Sequence, residues 1–285
     1  MERDSAILLI AAPDREGLVY TVTDYIYRNS GNILHAEQHI DSSENIFFMR
    51  IEWDITNFKI NQENILSSLE DMKQTWRMDI SLYFSKVKTK TAVFVSKKDH
   101  CLHDVLYKTK NRELGIDISC IISNHEENRR LAQYYEIPFY LYPMFKDNKQ
   151  EQERMQLELM KNMGIELIIL ARYMQILSPE FVTHYQNRII NVHHSFLPAF
   201  IGANPYKQAY EKGVKIIGST AHYVTDDLDK GPIIAQEVIH VDHKDSLDDF
   251  ICKGKELEKQ VLTNAVKKHS EHKILEFQNK TVVFD

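Results

Sequence analysis

Three side chains in this sequence have the types and the spacing for acyl transfer. Asn191 and His193 close an apolar run in "IINVHHSFLPAF" (residues 189–200), and Asp229 lies in the acidic stretch "VTDDLDKGP" (224–232). A carboxylate can orient and deprotonate a water or an amine, while an amide and an imidazole donate hydrogen bonds to the oxyanion that develops on the attacked carbonyl. Alternate side chains of a strand share a face, so Asn191 and His193 are expected to point one way and Val192 and His194 the other. In the acidic loop Asp226, Asp227 and Asp229 stand close together, and their mutual repulsion in a partly closed site would raise a carboxylate's pKa toward the range of a useful base. Each stretch alone also reads without chemistry: the histidines as a hydrogen-bonded strand end, the aspartates as a solvated turn.

Other chemistries have less support. Ser195 and Ser219 are available nucleophiles, but neither sits in a GxSxG elbow. His193, His194, His222 and Asp229 are metal-ligating types; HExxH is absent, however, and adjacent histidines on a strand face opposite sides, so no metal is expected. The nine glycines contain no GxG or GxxxxGK arrangement, and "TAVFVS" runs into "KKDHCLHDVL" without one, which removes the usual cradle for a dinucleotide or nucleoside triphosphate. Lys97 and Lys98 leave an anion contact open beside the simpler reading as surface lysines. "LARYMQILSPEF" (170–181) presents Tyr173, Met174, Ile176 and Leu177 where an apolar strand ends. A loop of this kind suits a flat aromatic ligand, although the same residue types also fill cores.

The frame that must hold these residues is legible in outline. The 285 residues exceed the usual domain of about 100–150 residues, so two domains are expected. A net charge of −6, from 35 basic and 41 acidic residues, gives no general attraction to nucleic acid or anionic lipid. Cys101, Cys120 and Cys252 form no CxxC pair and read as free thiols of a reducing compartment. The opening apolar run is too short for a secretory signal and no run approaches about 18 apolar residues, so a soluble cytoplasmic protein is expected.

From the amino end, "AILLIAA" reads as a strand, residues 13–32 as a helix stopped at Gly31-Asn32, and "ILHAEQHID" with "IFFMRIEWDI" as a hairpin about "SSEN". A helix over "NQENILSSLEDMKQTW" and a strand at "RMDISLYFS" complete a ferredoxin-like βαββαβ order. "KVKTKTA" (86–92) reads as the linker, dividing the chain into residues 1–86 and 87–285. Beyond it, five strand candidates from "AVFVS" to "RIINVH" alternate with helices, the pattern of a doubly wound, mostly parallel α/β sheet whose ligands sit at the carboxyl ends of its strands. Two further strands flank "DDLDKG", then a helix over about 245–268 and a hairpin in "KILEFQNKTVVF" close the chain.

"NVHHSFLPAF", "LARYMQILSP" and "GSTAHYVTDDLDKGPII" together resemble the formyltransferase catalytic domain, and "HHSFLPAFIGANPYKQAYEKGVKIIGSTAHYV" resembles its form in formyltetrahydrofolate deformylases. "APDREGLV", "SGNILHAEQHID" and "FFMRIEWD" resemble that family's ACT domain, so the likeness spans nearly the whole chain. The resemblance implies a Rossmann-like catalytic domain behind an ACT domain, with Asn191, His193 and Asp229 catalytic. His222, on the strand face of Thr220 and Val224, would orient Asp229 or make a structural hydrogen bond. The folate would lie against Met174, Gln175, Ile176, Leu177, Val182, Val224, Thr225 and Asp226. The implied reaction is hydrolysis of 10-formyltetrahydrofolate without a cofactor, supplying formate for purine synthesis and balancing the one-carbon folate pool. The alternative is formyl transfer to an amine such as glycinamide ribonucleotide, but "SKKDHCLHD" stands where those transferases place a glycine-rich phosphate loop. The ACT resemblance implies an amino-acid effector at Asp14, Gly17, Leu18 and Asn32, and a homo-oligomer, a dimer or tetramer. Asp14 would cap the following helix and Gly31 end it.

Overall fold

A computed structural model describes residues 4–198 and 204–285; residues 199–203 of the quoted motifs lie outside them. The chain divides into two compact units, one of residues 1–88, 271–277 and 282–285, the other of residues 89–270 and 278–281.

The first unit runs β1 (Ser5–Pro13), α1 (Leu18–Arg28), β2 (Asn32–Asp41), β3 (Ile46–Asp54), α2 (Ile65–Ser68), α3 (Glu70–Trp76) and β4 (Asp79–Phe84). Its antiparallel sheet has the order β2-β3-β1-β4, the ferredoxin-like arrangement. Ala6, Leu8, Ile10 and Ala12 of β1 pack on Leu18, Val22 and Ile26 of α1, the residues that helical spacing places on one face. Leu9, on the opposite face of β1, packs with Phe48 and Phe284. Burial on both faces explains why β1 reads as a continuous apolar run. The covering residues Leu275, Phe277 and Val282 come from the carboxyl-terminal hairpin, so the segments 271–277 and 282–285 belong to the first unit and not to the second, where the sequence reading put them.

The second unit contains β5 (Thr89–Val95), α4 (His100–Lys110), β6 (Ile116–Ser123), α5 (Arg129–Tyr134), β7 (Phe139–Leu141), α6 (Lys149–Met163), β8 (Leu167–Leu170) and α7 (Pro179–His184). It continues with β9 (Ile189–His193), α8 (Pro205–Lys212), β10 (Ile216–Tyr223), β11 (Ile233–His240) and α9 (Leu247–Ser270). The sheet order is β11-β10-β9-β8-β5-β6-β7, parallel from β9 to β7 and antiparallel at β10 and β11. The chain winds outward from β5 toward β7 on one side and through β8 and β9 on the other, so the switch point lies between β5 and β8.

The linker is shorter than its composition suggests. Thr89–Val95 is strand, with Thr91 and Ala92 fully buried and Thr89 in parallel register with Ile116. Threonine's branched Cβ suits a pleated surface, and Glu166 accepts from the Lys90 backbone N–H at 3.0 Å, so this polar stretch pairs as well as an apolar one. Among the described residues no helix is long and apolar enough to cross a membrane.

Candidate active site

β-Branched Ile189, Ile190 and Val192 make β9 a strand and bury it in the sheet, while Asn191 and His193 leave its carboxyl end on one face. Antiparallel pairing with β10 sets His222 opposite Asn191 and Thr220 opposite His193. The loop after β10 then doubles back. Tyr223 donates its backbone N–H to the Pro232 carbonyl at 2.9 Å, and Gly231 lies so close that an added Cβ would stand 1.8 Å from the Tyr223 oxygen. Asp229 takes a left-handed backbone, φ 55°, within this loop. Its carboxylate comes between two imidazoles, Oδ2 at 3.2 Å from His193 Nδ1 and Oδ1 at 3.7 Å from His222 Nε2. Asn191 Nδ2 is 3.3 Å from the same His222 nitrogen. The fold thus gathers Asn191, His193, His222 and Asp229 into one cluster.

The electrostatics differ from the sequence expectation. Hydrogen bonds from His193, then from His222, hold the Asp229 carboxyl well below the usual carboxylate range, outweighing the burial that would raise it. Repulsion among the aspartates does not govern it, because Asp227 is turned to solvent beside Lys230 and Asp226 is exposed. His222 Nδ1 lies 2.9 Å from the Tyr223 carbonyl and donates to it, so Nε2 is the ring nitrogen that faces both Asp229 and Asn191. With Nδ1 turned to Asp229, Nε2 of buried His193 has no hydrogen-bond partner among the described residues. A buried nitrogen left in this way costs about 1–3 kcal/mol, which a bound reactant would recover.

Thr220 holds the chain beyond β9, accepting from the Leu197 backbone N–H at 3.1 Å and donating to the Ser195 carbonyl at 2.9 Å. Ser219 Oγ donates to the His193 carbonyl at 2.9 Å, a structural use of that hydroxyl. Strand alternation stops at His193, where β9 ends, so His194 does not face away as expected: the two imidazole centroids are 5.2 Å apart and their planes differ by 27°.

The segment after β8 turns through Arg172, whose φ is 62°. Ser96 Oγ accepts from the Met174 backbone N–H at 2.9 Å and donates to Asn124 Oδ1 at 2.7 Å. Met174 and Ile176 are displayed, 59% and 62% exposed, and Gln175 is half-buried. Leu177 and Val182 are buried in the core with Phe181 and Tyr185, and half-buried Val224 packs against them. Thr225 is half-buried and donates to the Asp227 carbonyl at 3.1 Å.

A second polar network was not visible in the sequence. Glu258 of α9, 1% exposed, accepts from Tyr206 at 2.6 Å and lies 2.7 Å from His100 Nε2 and 3.4 Å from Arg172 Nε. Gly254 makes room for the Tyr206 ring, since a Cβ there would come within 2.2 Å of it. Arg172 in turn donates to His194 Nδ1 at 2.7 Å, and burial, then the Arg172 charge, pull the His194 imidazole down to about 4. His100, Cys101 and Glu258 are also the one group of three potential metal ligands among the described residues. Glu258's engagement by Arg172, Tyr206 and His100 accounts for that proximity.

In the first unit Gly17, φ 93°, is the N-cap of α1; Asp14 makes no side-chain cap, and the helix ends at Asn29 and not at Gly31. Asp14 is tied by its backbone N–H to the Asn45 carbonyl at 2.9 Å, Leu18 is buried in the core, and Asn32 is exposed at the start of β2.

Residues 89–266 match the Formyl transferase family. The formyltetrahydrofolate deformylase of Synechocystis sp. is 46% identical over 284 residues and covers 100% of both chains. That of Bacillus subtilis is 43% identical, covering 99% of this chain and 94% of its own. The crystal structure of a formyltetrahydrofolate deformylase from Pseudomonas syringae pv. tomato superposes with a TM-score of 0.98 at 38% identity, covering 100% of this chain and 96% of that one. Glycinamide ribonucleotide transformylase 1 from Symbiobacterium toebii gives a TM-score of 0.66 at 26% identity over 72% of this chain.

Proposed function

The chain belongs to the formyltetrahydrofolate deformylase family, with a formyltransferase-type α/β domain, and from that premise we propose that it hydrolyses 10-formyltetrahydrofolate to formate and tetrahydrofolate. The observation that carries the mechanism is His193, buried with Nδ1 on Asp229 and Nε2 unpartnered among the described residues. The water oxygen bonds to the formyl carbon as its proton passes to His193 Nε2, and the carbonyl electron pair moves onto oxygen. The oxyanion is held by an amide hydrogen of Asn191 and by the newly protonated Nε2 of His193. Collapse breaks the bond to the 10-position nitrogen, which takes the proton from His193, and formic acid ionises to formate. Asp229, ionised throughout, accepts the His193 Nδ1–H and orients the ring; its lowered pKa makes it a weak final proton acceptor, and the imidazole takes that part. His222 fixes Asn191 and Asp229.

The pterin and benzoyl rings lie against exposed Met174 and Ile176, above the floor of Leu177, Val182 and Val224, with Gln175, Thr225 and Asp226 at its edge. The reaction uses no cofactor or metal. It supplies formate for purine synthesis in the cytoplasm and balances the one-carbon folate pool. The first unit acts as an ACT domain: its βαββαβ order supports that reading, with an amino-acid effector at Asp14, Gly17 and Asn32, backed by Leu18. Edge strand β2 exposes Ile33, Leu34 and Ile40, which suits pairing into a dimer or tetramer.

The test is anaerobic incubation with 10-formyltetrahydrofolate and no amine, following formate and tetrahydrofolate. Wild type releases both; Asp229→Asn turns over about 10³–10⁴-fold more slowly, as expected when an imidazole loses the carboxylate that sets its tautomer, yet still binds folate. Near-normal turnover in Asp229→Asn would refute the assignment, and formation of product only with an added amine would favour transfer.

A further inference from the structure

Behind His194 lies a cavity of about 400 Å³ whose lining includes Lys98, Arg172, Lys207 and Lys255 against one carboxylate, Glu258. The chain as a whole carries −6, so this pocket runs against the molecule's own charge. Glu258 offsets Arg172 alone and leaves the three lysines. It is 1% exposed, and its oxygens are already taken by Tyr206, His100 and Arg172. Lys207 meets Glu211 only at 3.7 Å with both side chains 61% exposed, a solvent-screened pair. Neither Lys98 nor Lys255 has an acidic partner among the described residues, whereas neighbouring Lys97 is paired with Glu127 at 3.7 Å.

His194 lines this pocket, and its imidazole centroid is 5.2 Å from that of His193. One end of the cavity therefore lies next to the reacting centre. Hydrolysis turns a neutral formyl group into an anion, so a field of uncompensated cations acts on the product and not on the group from which it forms. With the folate proposed to lie against exposed Met174 and Ile176, the cationic side of the cluster is a separate way out for formate.

Building on the proposed hydrolysis, we infer that this pocket is an oxyanion site that receives the formate released at His193 and passes it to solvent between Lys98 and Lys255. Inorganic phosphate shares the chemistry, and a cavity of this size admits it, so it serves as the rival probe.

The experiment titrates ¹³C-formate into the full-length protein, following its NMR line width, and in parallel measures inhibition of turnover by added formate. Lys98→Gln/Lys255→Gln should weaken formate binding and raise the inhibition constant about tenfold with an unchanged melting temperature, while Lys97→Gln leaves both as in wild type. Equal binding and inhibition in wild type and the double variant would overturn the inference. Phosphate displacing formate at a hundredth of its concentration would overturn formate as the occupant. The titration needs no turnover, so a protein that releases no formate refutes the hydrolytic reading separately from the pocket.

Discussion

Gly231→Ala would place the smallest possible wedge against the Tyr223 carbonyl at the base of the Asp229 loop. The added Cβ would stand 1.8 Å from the Tyr223 oxygen, and contacts under 3.0 Å are not tolerated, so the two must part by at least 1.2 Å, the difference between these distances. That oxygen cannot simply turn away. It accepts the His222 Nδ1–H at 2.9 Å, and the Tyr223 N–H is tied to the Pro232 carbonyl at 2.9 Å. Relief of the clash must shift the loop two residues past Asp229, the His222 ring, or both. Overpacking of this kind costs about 1–3 kcal/mol, and at about 2–4 °C per kcal/mol the melting temperature falls by several degrees. A shift of about 1 Å in a catalytic group costs on the order of 100-fold in rate. Formate release, measured well below the melting transition, should therefore fall about 100-fold in kcat, far more than any loss of folded protein explains. A lowered melting temperature with an unchanged kcat would show that the loop exit does not set the Asp229 and His222 positions; no change in either would refute the clash itself.

Two further outcomes follow from the buried network. Glu258→Gln leaves Arg172 without its buried counter-ion, and urea unfolding should report a loss of about 3–5 kcal/mol; a loss under about 1 kcal/mol would place Glu258 among solvent-screened pairs. His194, held down to about 4 from 6.5, stays neutral in the fold while the unfolded chain takes up a proton near pH 6.5. Its contribution is fully present above that pH and is lost as the pH falls toward 4, so wild type should weaken between pH 7 and pH 5 more than His194→Gln does. Parallel denaturant midpoints in the two proteins would contradict this.

Much of the frame was legible because its signals are local. β1 reads as an apolar run, α1 as Leu18, Val22 and Ile26 at helical spacing, and the strands from β5 to β9 as apolar segments between helices. Asn191 and His193 could be set on one face from strand period alone, and Asp229 stood out by its acidic loop. What escaped depends on contacts distant in sequence. Arg172, His194, Tyr206, His100 and Glu258 come from five separate segments, joined only when sheet order is known. The polar start of β5 resembled a linker because pairing, not hydrophobicity, makes it a strand. Asp14 has the right residue type for a cap, but Gly17 starts the helix instead, and α8 was not anticipated at all.

The expected pKa of Asp229 failed for a related reason, and the failure sharpens the chemistry. Counting charges along the loop joins Asp229 to Asp226 and Asp227, so the carboxyl should rise; turning the loop back across β10 removes those neighbours and supplies two imidazoles, so it falls. A parallel strand ends at the site and moves away into a helix, but an antiparallel one can return a loop onto the strand beside it. β10 is the first antiparallel neighbour in the sheet, paired directly to the strand that carries Asn191 and His193. The break in the parallel pattern thus lets one carboxylate reach two rings without leaving solvent altogether. A carboxylate held in that way binds protons weakly but orients them well, which supports the proposal that His193 carries the proton from water to the leaving nitrogen.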